Sequence, residues 1–400
     1  MSLFKEFDLS QELSTAISRL GITDPTEIQV KSIPHIILGK DIIGESATGS
    51  GKTLAFGCGI IENVVHNEGL QALVLTPTRE LAEQVKESLK TLSDQKSLKI
   101  ITAYGGVAIG PQINDLRKAD VLVATPGRLL DHLSRGTVNM SKIKILVLDE
   151  ADRMLDMGFI EDVEKIIQAC PIKRQTLFFS ATIPTQVKRL TDKYMLKPIT
   201  ISANKHVDPS KLKQVYYDVK KNMKLSLLIH LLENESSGLI MVFCNTRSNT
   251  DFVVKNLKGN KIDAIAIHGG LTQNKRSRVM ELFNGAKAGV LVCTDVAARG
   301  LHIENVSHIY NYDLPKDAKE YVHRIGRTAR AGEEGKVINV LCDLDHDNFS
   351  RILYEHRSFS IKKVATPDLK KLAFVNTERT NDRKKGFRRG PSQNTRRWRR

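Results

Sequence analysis

Lys52 and Thr53 close the run Ser46-Ala47-Thr48-Gly49-Ser50-Gly51-Lys52-Thr53, which follows Ile42-Ile43 and leads into an apolar stretch from Leu54. A strand, a glycine-rich turn and a helix start in that order gather backbone N–H groups around phosphate oxygens at the positive end of a helix. Lys52 supplies a point charge for β and γ phosphates, and the Thr53 hydroxyl can ligate Mg2+. The generic pattern has glycine at Ser46, so the match is incomplete at its first residue. A second cluster, Asp149-Glu150-Ala151-Asp152, stands at the carboxyl end of the aliphatic run Ile145-Leu146-Val147-Leu148. Ligands of open α/β sheets bind there. One acid can hold a metal while another orients or deprotonates an attacking water. A solvated helix start also favours acids, but it rarely follows a buried aliphatic strand directly. Third, Arg327 and Arg330 in His323-Arg324-Ile325-Gly326-Arg327-Thr328-Ala329-Arg330 are three apart and share a helix face. Guanidinium groups so placed can reach a γ-phosphate held by another domain, an effect of about 10³–10⁵ in rate.

The elements that must position these residues are legible as short apolar runs separated by helix-length amphipathic stretches. One set comprises Ala72-Leu75, Val121-Val123, Ile145-Leu148 and Thr176-Phe179, and a second comprises Leu239-Phe243, Ala264-Ile267, Gly289-Val292 and Val337-Val340. Runs this short, β-branched and unalternating predict strands buried on both faces, hence parallel sheets under covering helices. The fold class expected is α/β, with domain 1 over 1–203, a linker over 204–211, domain 2 over 212–365 and a basic tail over 366–400. No sequence repeat relates the halves. Ten Lys or Arg face only Glu378 and Asp382 between Asn376 and Arg400, so disorder is expected from about residue 376.

Composition narrows the class. At roughly 150 residues per domain, 400 residues with 41% hydrophobic content predict two to three cores. The net charge of +16 favours a polyanionic partner. No run approaches the roughly 20 uncharged apolar residues of a membrane helix, and Lys5 and Glu6 sit where a signal peptide would be apolar. Cys58, Cys170, Cys244, Cys293 and Cys342 are odd in number and never closely paired, so neither a disulfide framework nor a CxxC metal site is expected. A soluble protein of a reducing compartment, the cytoplasm, is the expectation.

The motifs together resemble the DEAD-box family of ATP-dependent RNA helicases, from about residue 4 to about residue 345 and in the family's order. Asp149-Glu150-Ala151-Asp152 spells the family's signature. Gly21-Ile22-Thr23-Asp24-Pro25-Thr26-Glu27-Ile28-Gln29 resembles its Q motif, with Phe7 as the distant aromatic. The resemblance implies two tandem RecA-like domains, ATP and Mg2+ as cofactors, and RNA as the partner. Gln29 would read adenine, an amide having one donor and one acceptor face. Phe7, Ile22, Ala47, Thr48, Gly49, Ser50, Gly51, Lys52, Thr53, Gly300 and His302 would form the ATP site. Asp149 and Thr53 would hold the metal, and Glu150, Lys52, His323, Arg327 and Arg330 would carry the chemistry. Asp152, Ser180, Thr182 and Arg324 would couple the domains, with His323 and Arg324 bridging to the acidic motif. RNA backbone would meet Pro77, Thr78, Arg79, Gly105, Gly106, Thr125, Gly127 and Arg128 in domain 1, and Thr246, Arg276, Thr294 and Arg299 in domain 2. Taken alone, Gly105-Gly106 reads equally well as a turn with a capped helix, and Arg276 equally well as a solvated helix residue. Three positions depart from the family: Ile22 replaces an aromatic, Ala329 a glycine, and His302 an aspartate that binds the nucleotide ribose.

The resemblance implies an RNA-dependent ATPase that closes on single-stranded RNA and locally unwinds short duplexes without reading sequence. An ATP-gated RNA clamp uses the same motifs. A DNA translocase is disfavoured by Gln29 and the acidic signature. The motifs carry no base-reading code, so target choice would fall to the tail or to protein cofactors, and a monomer is the family's default.

Overall fold

The computed structural model describes residues 3–46, 49–203, 212–234, 238–298, 301, 303, 306–328 and 335–370. The expected linker 204–211, the tail from 371, and Ala47, Thr48, Arg299, Gly300, His302, Ala329 and Arg330 lie outside the described residues.

Two seven-stranded sheets, every pairing parallel, form the two RecA-like domains. The first contains β1 (Ile42–Glu45), β2 (Ala72–Leu75), β3 (Ile100–Ala103), β4 (Val121–Ala124), β5 (Ile145–Asp149), β6 (Gln175–Ser180) and β7 (Ile199–Ser202). Its spatial order is β3-β4-β2-β5-β6-β1-β7. The second contains β8 (Leu212–Asp218), β9 (Leu239–Phe243), β10 (Ala264–Ile267), β11 (Val290–Cys293), β12 (Val306–Asn311), β13 (Gly335–Leu341) and β14 (Ile361–Lys363), ordered β10-β11-β9-β12-β13-β8-β14. Strand for strand, the second order repeats the first. All the aliphatic runs of the sequence are strands, because residues such as Ile145 to Leu148 are buried on both faces between helix layers. Each buried Leu, Ile or Val contributes about 1.5–3 kcal/mol, which outweighs the weak local preferences of four-residue strands.

The order decides what meets what. Loops leaving β5, β6 and β1 are neighbours at one half of the first sheet's carboxyl edge, and loops leaving β3, β4 and β2 are neighbours at the other. The acidic motif, Ser180-Ala181-Thr182 and the glycine-rich turn therefore converge, apart from the Gly105, Thr125 and Thr78 loops. In domain 2, packing extends past the expected boundary at 365. Leu369, like Val219 and Val364, packs against the core, and the Thr366 hydroxyl donates to the Asp218 carbonyl at 3.2 Å.

Candidate functional site: a nucleotide cleft between two domains

Helix Lys52–Asn63 starts directly after the glycine-rich turn. Gly51 has φ +92°, and a Cβ there would lie 2.2 Å from Gln29 Nε2, so only glycine fits. Gln29 Nε2 donates to the Gly51 carbonyl at 3.0 Å, and its Oε1 accepts the Thr26 N–H at 2.9 Å. Thr26 in turn donates its hydroxyl to the Ser50 carbonyl at 2.7 Å. The Q-motif stretch thus braces the phosphate turn through the Gln29 amide nitrogen and the Thr26 hydroxyl, while the amide oxygen closes back on the Thr26 N–H. Phe7 is packed as a core residue, edge-on to Phe4 at 5.7 Å, and Ile22 lies half-buried against the same cluster. Phe7, expected by resemblance at the ATP site, is thus held in the core of domain 1.

Lys52 is buried and donates to the Ser46 carbonyl at 3.0 Å. Beside it, burial pushes the Asp149 carboxyl up to about 7; Lys52 opposes that shift and Glu150 adds to it. Burial also acts upward on Glu150, but Arg153, Lys52 and Arg327 outweigh it and hold its carboxyl below the ordinary range. Arg153 Nη1 reaches Glu150 Oε2 at 2.5 Å. Glu150 itself has φ 52°, a left-handed backbone that costs a non-glycine residue about 1–3 kcal/mol. The two adjacent acids are thereby driven apart. One is a desolvated carboxyl that a divalent cation would hold ionised, the other an ionised acceptor facing the cleft.

Asp152 carries the link to β6. Its N–H donates to Ser180 Oγ at 3.0 Å, and its Oδ2 accepts both the Thr182 N–H and hydroxyl at 3.0 Å. Across the cleft, His323 and Arg327 of domain 2 line the same cavity as Lys52, Glu150, Asp152 and Arg153. Arg327 Nη1 is anchored on the Leu301 carbonyl at 2.7 Å.

Arg324 is not part of that bridge. It is 1% exposed and its guanidinium is satisfied within domain 2. Asp295 takes it bidentately at 2.5 and 2.6 Å, Asn311 Oδ1 and Asn245 Oδ1 each accept at 3.0 Å, and the Asp313 carbonyl accepts at 2.6 Å. Neighbours in a helix point about 100° apart, so His323 faces the cleft while Arg324 faces the domain's interior.

The expected backbone-binding loops also differ in detail. Thr78 Oγ1 and Thr246 Oγ1 cap their helices by accepting the N–H groups of Leu81 at 3.3 Å and Asn249 at 3.1 Å. Each hydroxyl keeps its proton for a phosphate. Pro77, Thr125, Gly127 and Thr294 stand in the loops or first helical turns after β2, β4 and β11. Arg79 lies over Gly106, whose Cβ would come within 2.0 Å of its guanidinium. Arg128 is turned back on the glycine loop, donating to the Val107 carbonyl at 3.0 Å and Gln112 Oε1 at 3.2 Å. It braces Gly105-Gly106 instead of standing open to a phosphate. Arg276 is likewise neither solvated nor open. Its Nε lies 2.8 Å from Glu80 Oε1 of domain 1, with exposures of 14% and 11%, and Gln273 Nε2 donates to the same carboxylate at 3.2 Å.

Glu80 and Gln273 are functional candidates that the sequence reading passed over, and so are Arg247, Gly269 and Gly270. Leu75 aligns across its sheet with Ala124 and Ala103, and Phe243 aligns with Cys293 and Ile267. Counting onward, Thr78-Arg79 matches Thr246-Arg247, Thr125 matches Thr294, and Gly105-Gly106 matches Gly269-Gly270. Arg247 even lies near Gly269 as Arg79 lies near Gly106, 3.1 Å from where a Cβ would be. Equal offsets from the strand ends were the available signal.

A phosphate-binding turn, two carboxylates and an arginine supplied by a second RecA-like domain define a two-domain nucleoside-triphosphate hydrolase. Residues 26–190 match the DEAD/DEAH box helicase family and residues 223–332 the helicase conserved C-terminal domain. An ATP-dependent RNA helicase CshA of Limosilactobacillus reuteri is 46% identical over 83% of this chain and 67% of its own length. The CshA protein of Geobacillus kaustophilus is 45% identical over 84% of this chain and 72% of its own. Among solved structures, S. cerevisiae Dbp5 bound to RNA and ADP BeF3 superposes with a TM-score of 0.82 at 30% identity, covering 92% of this chain and 97% of that one. The chain belongs to the DEAD-box family of ATP-dependent RNA helicases.

Proposed function

We propose that ATP binding closes the two domains on single-stranded RNA, bends it along Thr78, Arg79, Thr125, Thr246 and Thr294, and so separates short duplexes without reading sequence. The single observation that carries this reading is that Lys52 and Glu150 of one domain and His323 and Arg327 of the other line one cavity. Lys52 neutralises the β and γ phosphates. Glu150, kept ionised by Arg153, orients the attacking water as an acceptor and takes its proton. Arg327 stabilises the charge that develops on the transferring phosphoryl group. Asp152, held by Ser180 and Thr182, ties the acidic loop to β6.

Asp149 and Thr53 fit Mg2+. The carboxyl beside Lys52 is desolvated and raised, the environment in which a hard cation is favoured by an oxygen donor. When bound, the ion would supply charge neutralisation on the phosphate oxygens. RNA is the partner, bound through its backbone. The protein acts as a monomer in the cytoplasm, with protein cofactors setting its targets. Among the described residues no helix is long and apolar enough to cross a membrane.

Strand displacement from a short labelled RNA duplex tests the reading. Release should require ATP and be lost in Glu150→Gln. Many turnovers of ATP without strand release would instead favour the clamp.

A further inference from the structure

The second domain contains a counterpart of the ATP site. Lys52 is the first residue of the helix that follows β1, and Lys224 is the first residue of helix Lys224–Asn234, which follows the equivalent strand β8. Both lysines are buried. A cleft of about 900 Å³ opens there, lined by Lys221, Lys224, Asn245, Thr246, Asn249 and Asp313 among others. Its chemistry, however, is closed on itself. Lys224 Nζ pairs with Asp345 Oδ2 at 2.9 Å and lies 3.9 Å from Asp313 Oδ1. Lys221, Asn222 and Met223 stand directly before Lys224, where a phosphate cradle would need a glycine such as Gly51. A lysine already matched by two carboxylates offers a phosphate little.

What the acids do instead is connect. Asp313 stands two residues past Asn311, which aligns with Phe243, as Glu150 stands two residues past Leu148, which aligns with Leu75. Its Oδ2 accepts the Asn245 N–H at 3.0 Å and Asn249 Nδ2 at 2.6 Å, so it grips the start of helix Arg247–Gly259, which Thr246 caps. Its carbonyl accepts from Arg324. Asn245 closes the circuit, accepting from Arg324 Nη2 at 3.0 Å and donating its Nδ2 to the Leu314 carbonyl at 2.8 Å. The same position in domain 1 is Pro77, counted from the paired strand ends, and a proline side chain makes no such bond. The link therefore belongs to domain 2 alone. Arg324 lies in helix Ala318–Ile325 with His323, three residues before Arg327.

We propose that this counterpart site takes no nucleotide and serves as a coupling element, with Asn245 as the positioning residue. Through it, the RNA-facing start of helix Arg247–Gly259 sets the position of helix Ala318–Ile325 and the turn after it, which present His323 and Arg327 to ATP. The inference rests on the reading of Thr246 as an RNA contact and Arg327 as the arginine finger.

Full-length protein with polyuridylic acid as the probe tests it. Asn245 is exposed, so Asn245→Ala leaves no core cavity, and an unchanged melting temperature verifies the fold. The maximal RNA-stimulated hydrolysis rate should fall about tenfold. The rate without RNA and the RNA concentration at half-stimulation should stay within about twofold of the unsubstituted protein. Asn245→Asp, which keeps the acceptor facing Arg324 but loses the donor to the Leu314 carbonyl, should recover part of the lost rate. Unchanged stimulation in Asn245→Ala would overturn the proposal. So would a parallel fall in the rate without RNA, a shift in half-stimulation alone, or no recovery in Asn245→Asp. If the unsubstituted protein is not stimulated by RNA, the function proposed above fails, and this inference falls with it.

Discussion

Glu150 sits in a left-handed backbone conformation, buried, and held ionised by Arg153, Lys52 and Arg327 against its own desolvation. Glu150→Gln preserves shape and removes the acceptor charge, so RNA-stimulated turnover should fall about 10²–10⁴-fold with nucleotide affinity retained. Comparing kcat with the nucleotide Kd checks this. Arg327→Ala should cost about 10³–10⁵ in turnover, and Arg327→Lys should recover little, since a point charge does not reproduce a fork of donors. Gly51→Ala makes a steric prediction. Its Cβ would collide with Gln29 Nε2, so the Q-motif brace should break and ATP affinity should drop, read by fluorescent-nucleotide titration. At this scale the sequence was informative where chemistry depends on residue type at a strand end, as at Lys52, Asp149 and Glu150. It was misleading for Arg324, Arg276 and Arg128. A guanidinium has five donors and a long stem, and which acceptors it finds depends on Asp295, Glu80 and the Val107 carbonyl, all distant in sequence.

Among elements, the informative contact is between helix Arg79–Leu92 of domain 1 and helix Gln273–Asn284 of domain 2, joined by Glu80, Arg276 and Gln273. It lies beside the loops proposed to carry RNA, where a contact between the domains would tie backbone binding to their closure. Glu80→Ala and Arg276→Ala should each weaken the increase in RNA affinity that a nonhydrolysable ATP analogue produces. A double-mutant cycle on that affinity should give an interaction energy of about 0.5–3 kcal/mol. Additive effects would mean that the pair contributes nothing to closure. Strands were readable because a parallel sheet covered on both faces demands aliphatic runs. β3, β7, β8, β12 and β14 were harder. Ile100–Ala103 and Ile199–Ser202 mix polar residues into half-covered positions near the sheet edge, and β14 has only three residues.

The whole molecule repeats one seven-strand order twice with no sequence repeat to announce it. Topology preserves which loops are neighbours, and residue identity recurs at a few equivalent offsets, as at Thr78 and Thr246 or Gly105-Gly106 and Gly269-Gly270. The cores also close off all five thiols. Each is buried, and burial pushes Cys58 up to about 12 and Cys170 up to about 11. The native protein should resist iodoacetamide at neutral pH and react at five positions once unfolded, as mass spectrometry would count. The basic tail makes a separate prediction. If about five of its charges engage RNA, truncation after Val375 should lower the slope of log K on log salt by roughly 3.

Steady-state ATP hydrolysis without nucleic acid, with RNA and with DNA of equal sequence tests the central claim most directly. Strong stimulation by RNA, with DNA near the unstimulated rate, is the predicted result. Equal stimulation by both, or by neither, would contradict an RNA-dependent closure of His323 and Arg327 onto Lys52 and Glu150.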